Sequence, residues 1–284
     1  IILAQVIDTF TFKQILVRTS VLLTSEIAEL FGAMNLDVNK LVMIVVSLAV
    51  AMAGSSIPAV SSKFAQGNVN KTSELIKNIV LVFALVMLPA AVGMAVIANN
   101  LYPFFYPAGL EIGPQLLVTG SIMAIALGAY TVLATILQSM SYRRAAVTYL
   151  LIGIGIKAIL QFPMVAMFRA HGAMFATTIA FAVISVMMWM KIWRVIKIRD
   201  RYFVGDLIRI VIATTLMGIG ASAWNRTLNF IMDPVGRGLT LVQILIVIVV
   251  AVFIYFGVLA LFGMLSILIG DRHATLQERL SIGK

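Results

Sequence analysis

This chain of 284 residues contains no cysteine, only two histidines and just 11 acidic side chains. The missing cysteine excludes disulfides, a thiol nucleophile and any cysteine-ligated metal. The histidines, His171 and His273, lie beside different apolar runs and cannot form one metal site. Charge itself is scarce. Asp, Glu, Lys and Arg make up 11% of the chain, against about 25% in an average soluble domain. No glycine-rich nucleotide loop, catalytic triad or metal-ligand spacing is visible. The pattern therefore points away from an enzyme and from ATP-driven work, and no cofactor or metal is expected. No signal peptide is visible, and a chain of this kind needs none.

What remains is apolar: 62% of the residues are hydrophobic. Hydrocarbon offers no water to backbone polar groups, so runs of about 20 apolar residues cross it as helices. Eight such runs lie near Ile1–Leu23, Asn39–Ser61, Asn78–Ala98, Gln115–Ser139, Ala145–Phe168, Gly172–Ile192, Leu207–Asn225 and Thr240–Ile269. The expected fold is an all-α polytopic membrane helix bundle of eight transmembrane helices.

The positive charges orient it. Of 21 Lys and Arg, fourteen fall in alternate gaps: Lys63, Lys71, Lys77, Arg143, Arg144, Lys191, Arg194, Lys197, Arg199, Arg201, Arg209, Arg272, Arg279 and Lys284. The opposite gaps hold four, Lys40, Arg169, Arg226 and Arg237. Excess Lys and Arg marks cytoplasmic loops, which puts both chain ends inside. Trp189 and Trp193 near an inner end and Trp224 near an outer end suit interfacial anchoring. The net charge of +10 is then topological. It suits anionic membrane lipids as partners and argues against nucleic acid. The chain begins in apolar sequence without an initiating Met and reads as the later part of a longer protein.

Between the runs, Ile27, Leu30 and Phe31 fall at helical spacing, which predicts a short surface helix within Ser25–Val38. Pro103, Pro107 and Pro114 predict an irregular, rigid segment over Asn100–Pro114. Ile196, Ile198, Tyr202 and Phe203 alternate with charge in Lys191–Arg209, which suits an interfacial helix. Pro89 and Pro163 lie inside spans and predict kinks.

A few charges break the apolar rule. Asp8, Lys13 and Arg18 lie in the first span and Lys157 near the middle of the fifth. Each costs about 2.5–3.5 kcal/mol at the bilayer centre on insertion scales, so each should face a cavity or a partner. Asp8, Thr11, Gln14 and Arg18 share an arc of roughly 120° on a helix. Lys13 points elsewhere and suits snorkelling as well as a functional role. Lys157 stands about 18 Å from the inner end of its helix, too deep to snorkel easily. Gly153 and Gln161, four residues to either side, share its stripe, with glycine opening space. A cavity-facing Lys157 is favoured over a purely structural one. Gly172 and Ala176 give a small-xxx-small spacing for close helix approach, followed by Thr177 and Thr178.

Three stretches carry a family resemblance: Gln5-Val6-Ile7-Asp8-Thr9-Phe10-Thr11-Phe12; Ile136-Leu137-Gln138-Ser139 followed by a basic turn and Gly155-Ile156-Lys157; and His171-Gly172-Ala173-Met174-Phe175-Ala176-Thr177-Thr178. In order and spacing they resemble the polysaccharide-export branch of the multidrug/oligosaccharidyl-lipid/polysaccharide exporter superfamily. Within it they resemble the stage V sporulation protein B-like and MurJ-type lipid II flippases. The resemblance implies fourteen helices in the full protein, two six-helix lobes around a cavity and a final pair. Residues 1–192 would be the second lobe, 193–206 a cytoplasmic basic linker, and 207–284 the last two helices with a short cytoplasmic tail. The N-terminal lobe would be a missing partner.

The implied activity is alternating-access transfer of an undecaprenyl-linked saccharide from inner to outer leaflet of a bacterial cell membrane. An anionic diphosphate needs cationic groups, which Arg18 and Lys157 would supply, with Gln14 and Gln161 as polar neighbours. Some MurJ-type relatives bind sodium with an Asp like Asp8 and a Thr like Thr177. Here Lys157 and Gln161 stand on the facing helix, so the ammonium would take the metal's place and pair with Asp8. Many members also carry an Asp-Arg pair where this chain has Asp37-Val38-Asn39-Lys40. Lys40 offers charge without a bidentate fork, which leaves teichoic-acid or capsule precursors open beside lipid II. The competing readings are a multidrug/cation antiporter of the same superfamily and a non-transporting truncated paralogue.

Overall fold

A computed structural model describes residues 2–196, 201–231 and 236–264. Expectations that fall on 197–200 or 265–284, including Lys197, Ile198, Arg199, Arg272, His273, Arg279 and Lys284, lie outside the described residues. So do those resting on the side chains of Arg201 and Tyr202.

The described residues form a helical membrane bundle. The helices are α1 (Ile2–Thr19), α2 (Thr24–Gly32), α3 (Asn39–Ala65), α4 (Val69–Val96), α5 (Ala98–Phe105), α6 (Gly113–Ser139), α7 (Arg143–Ile196), α8 (Arg201–Ile231) and α9 (Arg237–Leu261). A π-helical segment, Ala33–Val38, joins α2 to α3 without a break. Six described helical stretches are long and apolar enough to cross a membrane: Thr24–Ala65, Val69–Val96, Gly113–Ser139, Arg143–Ile196, Phe203–Phe230 and Arg237–Leu261.

Helix α7 contains two of the eight expected runs. Its 54 residues would extend about 80 Å if straight, far beyond a hydrocarbon core of about 30 Å. It is broken at Arg169, whose φ of 51° and ψ of −124° are not helical. A Cβ on Gly153 would stand 2.1 Å from Ile184, and one on Gly172 would stand 1.9 Å from the Met164 carbonyl oxygen. These contacts are spaced evenly about Arg169, so 143–168 and 170–196 form an antiparallel hairpin. Gly153 therefore serves the hairpin's packing rather than making room beside Lys157. Helix α1 is 18 residues long, about 27 Å. Its Asp8, Lys13 and Arg18 set it apart from the six apolar stretches.

Outside the spans the structure is more helical than the prolines suggested. Helix α5 runs through Pro103 and occupies the start of the segment expected to be irregular. Ile97 ends α4 and opens α5, its carbonyl accepting from the Asn100 and Leu101 N–H groups at 2.9 and 2.8 Å. Irregular backbone is confined to 106–112. The expected surface helix is α2, with Ile27 and Leu30 buried. Its entry is fixed by the Leu23 N–H, which donates to the Glu26 carboxylate at 2.8 Å. Pro58, inside α3, joins Pro89 and Pro163 as a third intrahelical proline of the spans.

Two hydrophobic cores result. The larger joins buried faces of α1–α7, with Phe12, Leu16, Met87, Leu116, Leu117 and Ile184 at its centre. The smaller packs α8 and α9 against one side of α4, around Leu81, Leu85, Met217, Val247 and Tyr255. Helix α4 contributes to both.

Candidate functional site: a buried ion pair between α1 and α7

Helix α1 lies on the first half of α7. Its Phe12, Ile15 and Leu16 are buried, while Lys13, Gln14 and Arg18 are exposed. This seating brings Asp8 against the Lys157 stripe. The Lys157 ammonium donates to Asp8 Oδ2 and to the Ala4 carbonyl, each at 2.7 Å. The Gln161 amide donates to Asp8 Oδ1 at 2.8 Å. Lys157 and Gln161 are each 1% exposed and Asp8 8%.

Both carboxylate oxygens are thus held from one helix, and the ammonium bridges a side chain and a backbone carbonyl. An ion this deep is tolerated only when paired and hydrogen-bonded. The four-residue spacing of Lys157 and Gln161 points both side chains at one carboxylate. The Gln161 carbonyl oxygen is buried and has no hydrogen-bond partner among the described residues.

A cavity of about 30 Å³ adjoins the pair, lined by Asp8, Gln5, Asn35, Asn39 and Thr177 among others. That volume suits about one water molecule. The Thr177 hydroxyl donates to the Ala173 carbonyl at 2.9 Å, in its own helix. Asn35 lies in the π-helical segment, Asn39 opens α3, and Met123 lies on α6, so with Thr177 of α7 four structural elements besides α1 reach this space.

The predicted site residues therefore divide. Asp8, Lys157 and Gln161 come together, and Thr177 shares a cavity lining with Asp8. Gln14 and Arg18 do not join them; Arg18 closes the last turn of α1, where a cation complements the helix dipole. It stands about 15 Å along the axis from Asp8.

Several polar contacts escaped the sequence reading. Thr119 and the His171 ring meet at 2.8 Å between α6 and α7. The Tyr102 hydroxyl donates to Asp37 at 3.3 Å. Asn225 accepts from both Asn100 and Gln243 at 3.4 Å, and Gln243 also donates to Asn229. Among the described residues no three His, Cys, Asp or Glu side chains group as metal ligands.

No protein-family model matches the chain. A curated relative does: 230 residues, 80% of this chain, are 29% identical to the lipid II flippase MurJ of Bacillus subtilis strain 168. The chain is similar to a lipid II flippase. It covers 42% of that relative, less than half its length. The similarity fits a portion from the C-terminal side of a MurJ-like protein.

Proposed function

We propose that this chain is the C-terminal part of a flippase that carries an undecaprenyl-linked saccharide, such as lipid II, from the inner to the outer leaflet by alternating access. The observation that carries this reading is the similarity to MurJ over 80% of the chain. The chain works as a transporter, not as an enzyme, in a bacterial cell membrane. Residues 1–192 act as one six-helix lobe, 193–206 as a basic inner linker, and 207–284 as a helix pair with a short tail. The Lys/Arg asymmetry supports both ends being cytoplasmic, against anionic lipid headgroups. A further lobe supplies the opposing wall.

The site supports a division of labour. Arg18 and Gln14 lie on the face of α1 that the bundle leaves open, where a diphosphate headgroup can be met. Lys157 is neutralised by Asp8 and enclosed. It and Gln161 reach an anion only when Asp8 releases them, so substrate and carboxylate compete for one ammonium. Thr177 borders the same space. In the closed pair the ammonium supplies the positive charge that a bound sodium ion would otherwise bring to Asp8, so transport needs no sodium.

The test is complementation of a flippase-depleted strain by the full-length gene. Arg18→Ala is expected to lower transport at least tenfold with normal membrane abundance, about what one lost charge-assisted contact to a phosphate implies. Transport that persists unchanged in both Arg18→Ala and Lys157→Met overturns the site. Failure of the unaltered gene overturns the function.

A further inference from the structure

Helix α4 presents two carbonyls that its own backbone does not fully use, and both are met from α8 and α9. Pro89 has no N–H, so the Leu85 carbonyl four residues earlier loses its helical bond. The Tyr255 hydroxyl of α9 donates to that oxygen at 2.7 Å, with both residues buried. At the C-terminal end of α4, where carbonyls run out of helical donors, Val96 accepts from the Asn225 side chain of α8 at 3.1 Å. The other span prolines are different. Gly54 and Ile159, four residues before Pro58 and Pro163, are exposed rather than covered by a neighbouring helix.

These contacts matter because apolar contact alone positions helices poorly in lipid, whose tails are as apolar as leucine. Bonds to unmet carbonyls have no equivalent in hydrocarbon. We propose that Tyr255 is a clasp between helices. It donates to the carbonyl that Pro89 leaves free on α4, and this bond sets how far α4 bends from α8 and α9. It also sets the width of the groove of about 510 Å³ between them, which Leu85, Pro89, Met217, Val247 and Tyr255 help to line. The clasp does not depend on which molecule the protein moves.

The experiment uses the full-length protein in lipid nanodiscs, with hydrogen exchange read at the amides of Ala90–Gly93. Tyr255→Phe is expected to speed that exchange about tenfold, the effect of one unmet buried acceptor. In a Pro89→Ala background residue 89 regains its N–H, and the same change is expected to give less than about threefold, a coupling that a double-mutant cycle reads directly. Equal effects in both backgrounds, or no effect of Tyr255→Phe beside Pro89, overturn the clasp. Spin labels on cysteines at Ile44 and Val252, across the groove, read its width. Tyr255→Phe is expected to broaden the distance distribution. A distribution unchanged from that of the unaltered protein overturns the role of the clasp in setting the groove.

Discussion

Two polar seams of the described bundle are built on different physics. Between α1 and α7 the contacts are ionic: Lys157, Asp8 and Gln161 satisfy one another and an α1 carbonyl. Between α4 and the α8–α9 pair they are neutral: Tyr255 and Asn225 meet backbone carbonyls of α4. Charges removed from water are costly unless paired, so the first seam is all or nothing. A neutral hydrogen bond is worth about 0.5–1.5 kcal/mol net, so the second can open and close. The first seam suits a group that must release its partner only to a competing ion. The second suits a joint that shifts without a change of charge.

The largest effect should follow from breaking the ionic seam on one side only. Lys157→Met leaves Asp8 buried without its cation and is expected to destabilise the protein by about 3–5 kcal/mol. Thermal unfolding in detergent reads this. Combining Lys157→Met with Asp8→Leu removes both charges and should recover most of the loss. If Lys157→Met alone unfolds like the unaltered protein, the pair does not hold α1. Tyr255→Phe in the neutral seam should cost less than half as much in the same assay.

A smaller effect is expected in the hairpin that positions Lys157. A Cβ at residue 172 would stand 1.9 Å from a backbone oxygen, which cannot swing aside as a side chain can. Gly172→Ala should therefore cost about 1–3 kcal/mol, the usual range for overpacking. At residue 155 nothing lies within 4 Å of the added Cβ, so Gly155→Ala in the same helix is the control. Equal stability of the two variants would show that the hairpin does not need its close approach.

The two seams were not equally legible. A Lys and an Asp inside apolar runs advertise themselves, because each needs a partner, and the helical period puts Gln161 on the Lys157 face. Arg18 shared the polar arc of Asp8, but an arc says nothing about which part of it a neighbour covers. Gly153 was read as space for Lys157 because one helix's stripe cannot show that Ile184 returns against it. The amides of Asn100, Asn225, Asn229 and Gln243 lie on three helices, Asn100 far from the others in sequence, and look like ordinary polar residues near span ends. The role of Tyr255 depends on Pro89 in another helix, a relation that no local pattern encodes. The π-helical join between α2 and α3 is preceded by Gly32, and a lone glycine does not tell a π-helical turn from a helix end.

The smallest effect lies at α5, whose Tyr102 reaches across to Asp37. Burial, reinforced by the Asp37 carboxylate, pushes the Tyr102 phenol up to about 12 from its usual 10. Gly109 and Gly113 lie so close to the Tyr102 ring that a Cβ on either would strike it, which fixes the phenol in place. The folded state thus holds this proton more tightly than the unfolded state. The resulting stability is fully present below pH 10 and is lost as pH rises through about 12. The phenolate absorbance lost in Tyr102→Phe should be a late-titrating component, and unfolding temperature should begin to fall only above pH 10. Asp37→Asn removes the neighbouring negative charge but not the burial. It should lower the phenol's midpoint while leaving it above 10, and shift the alkaline fall in stability in the same direction. An unchanged midpoint in Asp37→Asn would show that this contact is not electrostatic. A midpoint at the ordinary tyrosine value in the unaltered protein would show that the ring is not held against the loop at all.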